Sequence, residues 1–116
     1  MAQIDTFAIA ANQAIPVEID SNSASITVRA IASGRIFLVF DLFLQTEADC
    51  DLQIRSGATD ITGPILFSTA TTRERRWSSS GFPVFRGVAS GDDFIIGNAS
   101  TVQVNGWALL YEVEAR

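Results

Sequence analysis

Ile36-Phe37-Leu38-Val39-Phe40-Asp41-Leu42-Phe43-Leu44 is the stretch whose reading decides the fold. Eight of its nine residues are apolar, and it runs between a Ser33-Gly34 turn and the acidic loop 46–51. β-Branched and aromatic residues without internal Gly or Pro make it a buried strand rather than a helix. Strict alternation places Ile36, Leu38, Phe40, Leu42 and Leu44 on one face and Phe37, Val39, Asp41 and Phe43 on the other. One face lines the core of a small domain. The second carries three large apolar groups, each contributing roughly 1.5–3 kcal/mol when buried, so it needs cover from a sheet or a subunit. Asp41 then requires an Arg across the sheet or a place at a wet rim, because an unpaired buried carboxylate is too costly.

Outward from this strand, turn signals recur about every ten residues and no segment keeps a helical period. Ile15-Pro16-Val17-Glu18-Ile19 alternates, with Pro16 marking an edge or a strand start. Ile26-Thr27-Val28-Arg29-Ala30 directs Ile26, Val28 and Ala30 inward. Leu52-Gln53-Ile54-Arg55 follows the acidic loop, then come Ser56-Gly57, Gly63-Pro64 and the short Ile65-Leu66-Phe67. Phe94-Ile95-Ile96 follows a Gly-Asp-Asp turn. Thr101–Val104 and the strand from Trp107 to Val113 flank Asn105-Gly106, which reads as a type I′ hairpin. The pattern predicts an all-β, single-domain antiparallel sandwich or jelly roll.

Composition narrows the function. The 116 residues make one domain, with 47% hydrophobic and only 18% charged residues, a balance that suggests buried intersubunit surface. The net charge of -5 argues against nucleic acid as a partner. All basic residues are Arg, with neither Lys nor His. That removes the commonest general base, the Schiff-base amine and the imidazole metal ligand, so no enzyme and no cofactor are expected. The serine run 78–80 has no base partner and reads as a loop. Asp92-Asp93, the one adjacent carboxylate pair considered for a hydrolase, reads as a turn. Glu47, Asp49 and Asp51 have the opening spacing of a calcium loop but lack its Gly and closing Glu, so no metal is expected there. Cys50 is the single cysteine and sits between aspartates, which disfavour its thiolate. Asn98-Ala99-Ser100 fits a glycosylation sequon. The first residues carry no export signal, and no apolar run approaches the length of a membrane helix, so no membrane partner and synthesis in the cytoplasm are expected.

From Ala24 to Glu114 the chain resembles small jelly-roll proteins of tailed-phage virions. The residues that carry the likeness are Ala32-Ser33-Gly34-Arg35, Arg55-Ser56-Gly57 and Thr59-Asp60-Ile61-Thr62-Gly63-Pro64. Gly81-Phe82, Ala89-Ser90-Gly91-Asp92 and Leu110-Tyr111-Glu112-Val113 complete it. The segment 67–86 is more charged than that pattern. The resemblance implies a tumour-necrosis-factor-like homotrimer acting as a capsid decoration (cement) protein, with the major capsid protein as partner and the virion surface as location. A receptor- or glycan-binding knob of a head or tail fibre is the alternative, less expected because these residues include no shaft. Residues 1–23 are expected as an N-terminal arm or edge strands and residues 24–116 as the jelly-roll domain. Phe37, Val39, Asp41 and Phe43 are the expected trimer interface. Ile4, Phe7 and Ile9, too apolar for a solvated tail, together with Arg73, Arg75, Arg76 and Trp77, are the expected capsid contacts.

Overall fold

A computed structural model describes residues 14–115, so Ile4, Phe7 and Ile9 lie outside the described residues. Ten strands follow one another: β1 Ile15–Ser21, β2 Ser25–Arg29, β3 Arg35–Thr46, β4 Cys50–Ser56 and β5 Thr59–Asp60, then β6 Ile65–Phe67, β7 Glu74–Ser78, β8 Phe85–Arg86, β9 Phe94–Gly97 and β10 Val104–Glu114. They form two antiparallel sheets. The first is ordered β1-β10-β3-β7, with β8 continuing the β7 edge beside β3, and the second β2-β9-β4-β5, with β6 beside β4. Consecutive long strands alternate between sheets, which is the jelly-roll form of the β-sandwich. β1 pairs with β10 over its whole length, so the sandwich takes in residues 15–21 as an edge strand.

The core lies between the sheets. Phe37, Val39, Leu42 and Leu44 of β3 meet Leu52 and Ile54 of β4, Phe94 and Ile96 of β9, and Ala108 and Leu110 of β10. Phe37 and Phe94 stack with their ring centroids 5.1 Å apart, joining the two layers.

The central strand departs from strict alternation. Asp41 pairs with Leu109 and Val39 with Leu110, so Phe40 is an extra residue on β3, a β-bulge. One inserted residue reverses the face of everything before it relative to everything after it. Phe37 and Val39 therefore point inward along with Leu42 and Leu44, whereas Leu38, Asp41 and Phe43 point outward. Phe37 and Val39 are 0% exposed within a single chain. They are core residues, not interface residues.

A second correction concerns Asn105-Gly106, which lies inside β10, opposite Asp20 and Ile19 of β1 and Gln45 and Leu44 of β3. Val104–Glu114 runs on as one strand, so no hairpin forms there; the turn before it is at Asn98–Thr101, where Thr101 N bonds the Asn98 carbonyl and Thr101 has φ 53°. Gly106 serves close approach instead. A Cβ there would stand 1.9 Å from the Phe43 carbonyl oxygen. At the far end of β2, Ala30 is exposed and Ile31 takes the buried position.

Candidate interaction surface

The outer face of the first sheet is built in rows by the strand register. Glu18, Trp107, Phe43 and Arg76 form one row across β1, β10, β3 and β7. Pro16, Leu109, Asp41 and Ser78 form the next. Beyond the bulge come Tyr111, Leu38 and Arg86. Phe43 stacks on Trp107 at 6.2 Å between centroids, and Phe40 meets Tyr111 edge-to-face at 5.2 Å. Trp107 remains 38% exposed although it sits on a central strand. Large apolar and aromatic side chains thus run along the two middle strands of a face that no other element of the described chain covers.

One ion pair crosses this face. Arg76 donates from Nε to Asp41 Oδ1 at 3.3 Å and from Nη2 to Oδ2 at 3.0 Å, and Ser78 Oγ donates to Oδ1 at 3.1 Å. The Arg76 guanidinium also lies 5.1 Å from the Trp107 ring centroid, a cation–π contact. Hydrogen bonding from Arg76 is the largest cause holding the Asp41 carboxyl below its ordinary range, and the same pair raises Arg76. Both polar groups are satisfied inside the subunit, so covering this face leaves neither of them orphaned.

Of the four expected interface residues, the structure brings Asp41 and Phe43 to this face. The sequence pattern missed Trp107, Leu109, Tyr111 and Leu38; only the strand pairing reveals them as neighbours of Phe43.

Arg73, Arg75, Arg76 and Trp77 do not form one patch. Arg73 Nε bonds Asp49 at 2.9 Å, away from the sheet face. Arg75 reaches across the sandwich edge to the Leu66 carbonyl and lies over Phe67. Arg76 belongs to the outer face, and Trp77 packs inward against the core and Phe85. Strand alternation divides them.

The remaining polar candidates hold loops. Asp49 accepts from Arg73 and from the Thr69 backbone and hydroxyl, with Arg73 the main cause lowering its carboxyl. Glu47 accepts from Asn105. Among the described residues no three His, Cys, Asp or Glu side chains converge as metal ligands would. Asp92 accepts from the buried Ser56 hydroxyl and the Ala89 backbone, and Asp93 from the Ile31 backbone. Each carboxylate ties one loop to another. Asn98 is wholly buried, with its amide nitrogen donating to the Ser23 and Val102 carbonyls, so the sequon is not presented to solvent. Cys50 is buried, which pushes its thiol up. No helix of the described residues is long and apolar enough to cross a membrane. No known protein family matches this chain, and no curated protein does.

Proposed function

We propose that this chain is a non-enzymatic structural protein that assembles as a homotrimer through the outer face of the β1-β10-β3-β7 sheet and decorates the head of a tailed phage as a cement protein. The observation that carries the assembly is the apolar run Leu38, Phe40, Phe43, Trp107, Leu109 and Tyr111 on that face. Eleven residues of β10 span about 35 Å and four strands about 15–20 Å, so the face measures roughly 500–700 Å². That approaches the ~800 Å² each partner contributes to a stable interface. The assignment to a phage head rests on the resemblance of residues 24–114. Its mechanism there is linkage: a protein that binds only the assembled shell stabilises the shell.

The test has two steps. Light scattering at micromolar concentration is expected to give three times the chain mass, and the protein is expected to co-sediment with empty capsids of the phage that encodes it and to raise their melting temperature. A monomer overturns the assembly. A trimer that ignores capsids overturns the cement role and directs attention to receptor or glycan binding.

A further inference from the structure

Two exposed apolar features stand at opposite edges of the first sheet. At one edge, the loop between β7 and β8 holds Phe82 at 80% exposure, the largest for any big apolar side chain among the described residues. Pro83 follows it, and Val84 N bonds the Val39 carbonyl, fixing the loop base against β3. At the other edge, Pro16, Val17, Glu18, Trp107, Ala108 and Leu109 line an open trough of about 510 Å³ over β1 and β10.

Height along the strands matters. The loop leaves the sheet at Ser78, in the row that continues through Asp41 and Leu109 to Pro16 in the trough.

We propose that the occupant of the trough is a second copy of this chain: Phe82 of one subunit seats against Pro16, Trp107 and Leu109 of the next. This rests on the homotrimer reading and names the contact that makes it specific. A knob and its hole on different edges of one chain give a head-to-tail contact, which closes into a ring or runs on as a filament. Knob and hole share one level along the strands, so successive subunits are related by rotation with little translation, and the ring closes.

Phe82 is solvent-exposed in the single chain, so Phe82→Asp is expected to leave the fold intact while raising the subunit dissociation constant at least ~30-fold, the scale of a lost aromatic anchor. Sedimentation velocity of the parent and the variant reads the change. A wild-type monomer sinks the homotrimer reading itself. A wild-type trimer unaffected by Phe82→Asp sinks this contact and leaves the trimer standing. Loss of assembly on deleting residues 1–13, with Phe82→Asp silent, assigns the trough to that segment and also overturns the proposal. An oxidised Pro16→Cys, Phe82→Cys double variant is expected to give covalent species ending at the trimer; a ladder beyond three chains contradicts closure.

Discussion

The two outer faces of this sandwich obey the same alternation and carry opposite chemistry. On the second sheet, Ser25, Gly97 and Gln53 form one outward row and Thr27, Ile95, Arg55 and Asp60 the next. Arg55 pairs with Asp60 there at 3.0 Å, and Ile95 opposite it is the one large apolar side chain of these rows. The first sheet also has an Arg–Asp pair, but Arg76 and Asp41 lie among Phe43, Trp107 and Leu109. An antiparallel sheet tolerates water on one side, and the second sheet is built for that. The first is built like a sheet with another layer to come. On the proposed trimer the ion pair of the first sheet lies within the interface, whereas that of the second stays at the surface.

The largest expected effect separates how tightly the two sheets are built. In Gly106→Ala the new methyl meets the Phe43 carbonyl oxygen at 1.9 Å, backbone against side chain, with β3 and β10 both held by neighbours on their other sides. The strands must part, and a loss of roughly 3–5 kcal/mol is expected, with several core contacts disturbed together. Gly97, in the second sheet, is the control. A Cβ there comes no nearer than 3.4 Å, to the flexible Arg55 Cδ, so Gly97→Ala is expected within about 0.5 kcal/mol of the parent. Urea denaturation of both variants checks this; similar losses in the two would mean that β3 and β10 approach less closely than described.

Next in size is the loss of assembly. Phe43→Ser with Trp107→Ser is expected to convert the trimer to monomers at micromolar concentration, since stacked aromatics near the middle of a contact carry most of its energy. The matched pair on the second sheet, Thr27→Ser with Gln53→Ser, is expected to leave the oligomeric state unchanged. Size-exclusion chromatography with light scattering decides it. If the second-sheet pair disrupts assembly and the first-sheet pair does not, the roles of the two faces are reversed.

Much of this was legible in the sequence. β1, β2, β4 and β9 follow from alternation bounded by turn residues, and the central strand was legible as buried. Two features escaped for physical reasons. A period of two carries no sign of an inserted residue, so the bulge at Phe40 was invisible and put Phe37 and Val39 on the wrong side. Asn105-Gly106 has the strongest local turn propensity in the chain, yet β10 needs a residue without Cβ beside Phe43, and that long-range demand overrides the local one. The outer face itself was half visible. Phe43 could be read from its own strand, but Trp107 and Leu109 join it only through a register set some sixty residues away.

The smallest expected effect tests whether the Asp41–Arg76 pair belongs to the interface. Hydrogen bonding by Arg76 depresses the Asp41 carboxyl in the folded chain below its unfolded value of ~3.9. The pair's contribution is therefore complete above about pH 4 and is lost as the pH falls through the depressed folded value, where Asp41 takes up a proton. Within a covered face that protonation leaves Arg76 without its counter-charge, so the trimer is expected to dissociate more readily over the same interval. Asp41→Asn should show weakened assembly already at neutral pH, with a flatter dependence on acid than the parent. Asp49 provides the comparison, because Arg73 lowers its carboxyl in the same way but away from the sheet face. Asp49→Asn is expected to leave the neutral-pH dissociation constant unchanged and to retain the parent's acid dependence of assembly. Sedimentation velocity between pH 7 and pH 3 measures both variants. Should Asp41→Asn and Asp49→Asn behave alike, the Asp41–Arg76 pair is surface chemistry of the kind seen at Arg55–Asp60, and the two outer faces differ in their apolar residues alone.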